Sequence, residues 1–270
     1  MQPVTSLDAL FAALDAVKRQ AAVLQTNLFI DRAQYQHWIE RGALAMTAAD
    51  DMLLLARRDR DFRHLYYWGD ARALAGALAE YTESARAVTV ADLIHREHDE
   101  AATAVLLQAG FTPYARLHRM ALTGVPDSET GDSDIIRPAR PADASAVLTA
   151  LETIFDRFAE NLPEADEIRR AAEEGRLLTI PRGGEIGGGL LFDLNGASAH
   201  MRYCWVEQRF HGQGLGTALV RRYHANCPQV RRFLLWVQPG NAAATALYRR
   251  FGYSFDGLQD TILRWGKEPV

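Results

Sequence analysis

Cysteine is scarce in this chain of 270 residues: only Cys204 and Cys227 occur. Two are too few for a disulfide framework or a zinc pattern, so no metal is expected. No apolar run approaches membrane-spanning length, and the opening MQPVTSLDALFAAL lacks the basic start and long apolar stretch of a signal peptide. A cytoplasmic protein with no membrane partner is the expectation. Basic residues are not in excess either: 30 Lys and Arg stand against 34 Asp and Glu, a formal net charge of −4. That balance leaves no footprint for nucleic acid, and Arg221–Arg222 and Arg231–Arg232 read as solvated helix and turn residues. No G-K-[ST] occurs, which excludes a Walker loop. What is present is 48% hydrophobic and 24% charged residues, an ordinary globular composition in a chain long enough for two domains.

Periodicity predicts helices over 5–24 (capped by Thr5 or Ser6), 34–40, 71–81 and 101–108 in the first half. Strands are predicted over 51–57, 62–68, 87–94 and 111–122, while 44–49 is ambiguous. Gly124 to Asp134, GVPDSETGDSD, has turn formers, acids and almost no apolar residue, and reads as a linker. The expected division is therefore 1–125, a linker at 126–134, and 135–270. The second half starts with a strand at 135–137, then helices over 141–158 and 164–174. Strands at 177–180 and 186–194 flank PRGGE as a hairpin, and Asn195–Gly196 turns the chain into a strand over 199–206. A strand over 233–238, a helix over 241–251 and a strand around 261–265 complete it.

The halves repeat one another. DEAATAVLLQAGF at 99–111 and NAAATALYRRFGY at 241–253 align without gaps, and both follow a β-rich run and precede a closing strand. NLFIDRAQYQHWIERG at 27–42 and NLPEADEIRRAAEEG at 161–175 are a fainter echo. A period of half the chain means two copies of one domain, not a solenoid.

The most informative stretch is VEQRFHGQGLGTALVRRYHA, 206–225. A strand ends at Val206, glycines follow at 212, 214 and 216, and a helix with Leu215, Leu219 and Tyr223 on one face begins. Open backbone N–H groups at such a turn, together with the positive end of the helix dipole, make an anion site. Glycine permits positive φ and close approach of a phosphate. The spacing is G-x-G-x-G, not the G-x-G-x-x-G of a dinucleotide fold, and it opens after an antiparallel hairpin.

With this loop and the NAAATALYRRFGY helix, residues 135–265 resemble the GNAT superfamily of N-acetyltransferases. The resemblance implies an α/β (α+β) fold: two tandem GNAT-like domains, each a mixed, mostly antiparallel sheet flanked by helices. It implies that His211, Gly212, Gln213, Gly214, Leu215, Gly216 and Thr217 hold the pyrophosphate of acetyl-CoA. The family's first loop position is Arg or Gln, and here it is His211. The grip comes mainly from backbone N–H groups, so binding is expected to survive. Asn241 and Tyr248 are seven residues apart, on one helix face. The resemblance implies that Asn241 and Ala244 lie along the pantetheine arm and that Tyr248 is the general acid for the leaving thiolate. It also implies main-chain bonds at Trp205 and Val206, in a V between splayed parallel strands at 199–206 and 233–238.

His200 and Glu207 flank that strand as candidate general bases, though both also read as structural or solvent-facing. On a regular strand His200 would share a face with Arg202. Phe155, Phe158 and Arg202 are candidate acceptor contacts, and the two phenylalanines also fit a core. In the first half Asp99 stands where Asn241 does and Leu106 where Tyr248 does, and only Gly69-Asp70-Ala71-Arg72 follows Trp68. That half reads as a degenerate copy which keeps the fold. The expectation is an acetyl-CoA-dependent N-acetyltransferase acting on the primary amine of a small molecule, as a monomer or homodimer. The alternatives are a non-catalytic acyl-CoA-binding or regulatory module, a protein or peptide N-acetyltransferase, and a tandem aminoacyltransferase using aminoacyl-tRNA.

Overall fold

The computed structural model describes residues 1–20, 24–29, 31–97, 99–124 and 135–266. They form two compact units: Met1–Arg116 joined by the chain from Gln259 onwards, and Leu117–Leu258.

The first unit starts with β1 (Gln2–Pro3) and α1 (Leu7–Gln20). The Ser6 hydroxyl accepts from Ala9 N–H at 3.1 Å and caps α1. The helix expected to reach residue 24 stops earlier, because Leu24–Thr26 is β2 and pairs with a later strand. Asp31 caps α2 (Arg32–Glu40). The ambiguous stretch is a strand, β3 (Leu44–Ala48), which forms a meander with β4 (Met52–Asp59) and β5 (Phe62–Asp70). Then come α3 (Ala71–Ser84), β6 (Thr89–Arg96), α4 (Ala104–Gln108) and β7 (Thr112–Thr123). The unbroken apolar run of β4 is explained by burial on both faces. Leu53 and Leu55 meet α1 and α2, while Leu54 and Ala56 meet α3 and α4.

The second half of the chain repeats this plan with β8 (Arg137–Pro138), α5 (Ala144–Ile154), α6 (Ala165–Glu173), β9 (Leu177–Arg182) and β10 (Glu185–Asn195). It continues through β11 (Ser198–Val206), α7 (Leu215–Ala225), β12 (Arg232–Val237), α8 (Ala242–Arg250) and β13 (Ser254–Trp265). The expected helix over 141–158 ends at Ile154. There the Asp156 carboxylate accepts from Phe158 and Ala159 N–H at 2.8 and 3.1 Å, an Asx turn that diverts the backbone. The strand order is β7-β12-β11-β10-β9-β8, with β11 and β12 parallel and the other neighbours antiparallel.

The units do not divide where the sequence suggests. From His118 to Thr123, β7 pairs antiparallel with β12, and Met120 enters the second core. Leu263 and Trp265 of β13 join the first core, where the Thr261 hydroxyl meets His95 at 2.9 Å. Each half thus ends in a strand that completes the other half's sheet. The expected linker at 126–134 lies outside the described residues. Among the described residues, no helix is long and apolar enough to cross a membrane.

Candidate active site

β11 and β12 pair only from Ser198–Met201 to Arg232–Leu235, and beyond that they separate. The cause lies on the other edge of β11. Leu191 of β10 faces Tyr203 and Phe192 faces Met201, so Arg202 is an extra residue, a bulge that bends the strand. The bulge also exchanges faces. Ala199 and Met201 pack towards α7, whereas Tyr203 and Trp205 pack towards α5 and α6. The strand is therefore not regular. Opposite Trp205, β10 has no side chain at Gly189, where a Cβ would lie 2.4 Å from the indole. Glycine at 189 admits that ring, and Gly187 in the same run makes room for the Phe210 ring, 2.8 Å from where its Cβ would be.

The opening between β11 and β12 is a cavity of about 300 Å³ lined by Trp205, Val206, His211, Asn241, Ala244 and Tyr248, among others. Tyr248 projects from α8 and is only 7% exposed. Its hydroxyl is hydrogen-bonded with the Cys204 thiol. Burial pushes the phenol well above its ordinary value, and pushes the thiol up to about 12. Both therefore keep their protons at neutral pH. Asn241 caps α8, its side-chain oxygen accepting from Ala244 N–H at 3.0 Å. That bond fixes the helix that carries Tyr248.

Gly212 and Gly214 have φ of 77° and 73°, a region other residues rarely enter, and nothing lies within 4 Å of where their Cβ atoms would be. The first backbone bond of α7 runs from Ala218 N–H to Gly214 C=O at 3.0 Å, so the N–H groups before it are free of the helix ladder. This open cradle fits a diphosphate. Gly216 serves another purpose: its Cβ would lie 3.3 Å from Leu247, so glycine here lets α7 and α8 approach. Leu215 is buried in the core and Thr217 receives an Arg250 N–H at 3.5 Å, while Gln213 is exposed. The departure at His211 has a local explanation. Its Nε2–H donates to the Val206 carbonyl at 2.8 Å, tying the loop to the end of β11.

The other sequence candidates separate. Phe155 lines the cavity and stands edge-on to Tyr203, with ring centres 5.2 Å apart. Phe158 is 3% exposed and belongs to the interior. Arg202 lines the cavity but is held by Glu167 and by the Asn161 carbonyl at 3.2 Å. His200 is not among the lining residues, and burial lowers its pKa to about 4. Glu207 pairs with Arg209 at 2.6 Å and lines a neighbouring groove instead. Neither candidate base shares the cavity with Tyr248. Two carboxylates that do share it, Asp156 and Glu160, come from the turn after α5. Cys204, a further residue of the cavity, was detectable by alternation, because on an extended strand it shares a face with Val206.

In the first unit the matching positions are filled. β5 and β6 pair in parallel only at Arg63–Thr89 and His64–Val90, the same splay. Asn27 sits in it, 6% exposed. Its amide donates to the Leu65 carbonyl at 2.9 Å and the Asp92 carbonyl at 3.1 Å, and its oxygen accepts from Tyr67 N–H at 2.7 Å. β2 pairs with the last residues of β5 beside it. The start of α3 has no glycine cradle, since the Asp70 carboxylate accepts from Arg72 N–H at 2.9 Å. Leu106, in the place of Tyr248, is fully buried.

A splayed parallel pair above a glycine turn, with a protonated phenol in the opening, defines the class: an acyltransferase fold suited to acyl-CoA. More particularly, residues 146–253 match the acetyltransferase (GNAT) family. No curated protein matches the sequence. Solved structures share the fold across both halves. A tandem GNAT protein from the clavulanic acid biosynthesis pathway, solved without acetyl-CoA, is 15% identical with a TM-score of 0.61, covering 100% of this chain and 98% of that one. A GCN5-related N-acetyltransferase from Sphaerobacter thermophilus is 18% identical with a TM-score of 0.56, covering 85% and 84%. Another from Kribbella flavida is 17% identical with a TM-score of 0.57, covering 87% and 93%. What the chain shares with them is the fold, repeated in its two halves.

Proposed function

We propose that the second unit transfers acetyl from acetyl-CoA directly to the primary amine of a small molecule. The observation that carries this reading is the Tyr248 hydroxyl, buried and protonated, inside the opening between β11 and β12. The turn at Gly212–Gly214 and the start of α7 would hold the pyrophosphate, and Asn241, Ala244 and the Trp205–Val206 edge would flank the pantetheine arm. Acetyl-CoA supplies the acyl group as a thioester. The amine nitrogen forms a bond to the acetyl carbon, and the carbon–sulfur bond breaks. Tyr248 gives its proton to the departing sulfur. The proton lost by the amine goes to solvent or to the carboxylates Asp156 and Glu160, which also attract a cationic amine. Proton transfer by a placed group is worth roughly 10²–10⁴-fold in rate.

The first unit is, in this reading, a non-catalytic copy. Asn27 takes up the main-chain groups of its splay, and Asp70 takes up the helix start. Thiol release from acetyl-CoA across a panel of amines tests the activity. Binding of acetyl-CoA with no release for any amine would favour the non-catalytic module instead.

A further inference from the structure

The cavity at Tyr248 does not end there. Ile154, Val206 and His211 line it and also line a groove of about 760 Å³ on the other side of them. The groove runs between α5 and the β9–β10 hairpin. Its size falls within the roughly 300–1,000 Å³ of small-molecule sites.

The sequence of α5, ASAVLTALETI, explains its walls. Ala144, Val147 and Leu151 face the core. On the other side Ala146, Ala150 and Ile154 face the groove at helical spacing, and Ile154 is left 45% exposed. Thr149 and Thr153 also line it, but their hydroxyls donate back to the Ser145 and Thr149 carbonyls at 3.1 and 2.7 Å. Bonded this way, their hydroxyls are taken up by the helix backbone. A helix that is apolar on both sides has a second surface to cover. The charged side chains on the groove are Glu185 and Glu207, both bridged by Arg209, and Asp156 and Glu160 lie in the adjoining cavity. This acidic surround disfavours the phosphates of CoA and suits an amine.

We propose that the acceptor is an amine with an apolar body: its nitrogen enters the cavity at Tyr248 and its hydrocarbon part lies along α5 in the groove. This rests on the acyltransferase reading and names the substrate class. The test is thiol release from acetyl-CoA with 2-phenylethylamine, ethylamine and spermidine. The expected kcat/KM is at least about tenfold higher for 2-phenylethylamine than for ethylamine, as burial of a phenyl group implies. Ala150→Arg, and separately Thr153→Arg on the exposed side of α5, should bring that ratio to within about threefold of one while acetyl-CoA affinity is unchanged. Faster turnover of spermidine or ethylamine would overturn the proposal. So would a preference for octanoyl-CoA with no preference among amines, which would make the groove an acyl-chain site. Loss of acetyl-CoA affinity in both variants, or their splitting of a dimer, would likewise overturn it. If no amine is acetylated, the acyltransferase reading fails; calorimetric binding of 2-phenylethylamine, lost in Ala150→Arg, would then still support the groove, and its absence would refute it.

Discussion

Asn27→Ala is the perturbation whose size the structure sets most closely. The side chain makes hydrogen bonds to three main-chain groups, at 2.9, 3.1 and 2.7 Å, between strands that otherwise do not pair there. The site is buried, so the carbonyls of Leu65 and Asp92 and the N–H of Tyr67 are left without easy access to water. Each buried group left unpaired costs about 1–3 kcal/mol. The sum, about 3–9 kcal/mol, is comparable with the whole stability of many domains, about 5–15 kcal/mol. Asn27→Asp keeps the acceptor for Tyr67 but turns a carboxylate towards two carbonyls, and should cost at least as much. The assay is urea unfolding of the full chain, with hydrogen exchange at the Tyr67 amide to attribute the loss to the first unit. Acetyl-CoA affinity should not change in folded protein. A loss below about 1 kcal/mol with Tyr67 protection intact would refute the claim that Asn27 holds this splay together.

Tyr248→Phe should bind acetyl-CoA normally and lose about 10²–10³-fold in kcat, read by thiol release; undiminished turnover removes the general acid. Gly214→Val puts a branched residue at φ 73°, costs about 1–2 kcal/mol and should weaken acetyl-CoA binding at least about tenfold by calorimetry. Gly189→Ala places a Cβ 2.4 Å from the Trp205 ring and should lower stability by about 1–3 kcal/mol in a urea titration. His200 and His224 are both held near pKa 4 by burial, below the free value of 6.5. The unfolded chain therefore binds more protons as pH falls below about 6.5, and stability present above that value is lost towards pH 4. The loss is at most about 3 kcal/mol for each histidine. A urea midpoint unchanged between pH 8 and pH 5 would contradict it.

The sequence announced the parts of the site made by local chain geometry. The glycines at 212 and 214 marked a turn open to positive φ, and the internal repeat revealed two copies of one fold. Long-range features left no such mark. The bulge at Arg202 adds one residue to a strand whose alternation looks regular, so the face exchange after Met201 was hidden. The exchange of closing strands was hidden because strand pairing is long-range: 118–123 pairs with 232–237, and Leu263 joins a core built from the first half. Asn27 lies 38 residues from Leu65, and nothing nearby shows that its amide fills a gap between two strands. His200 and Glu207 were proposed by adjacency to the strand, but burial isolates the first and Arg209 holds the second. Asp156 and Glu160 reach the cavity because an Asx turn ends α5 early, and only the fold brings them beside Tyr248.

The central claim is an asymmetry: two copies of one fold, of which the second alone takes acetyl-CoA. Calorimetric titration of acetyl-CoA into the purified chain tests it directly. The account predicts one site per chain, abolished or strongly weakened by Gly214→Val and indifferent to changes at Asp70. Two equivalent sites per chain, or a single site that survives Gly214→Val and is lost on changing Asp70, would contradict it.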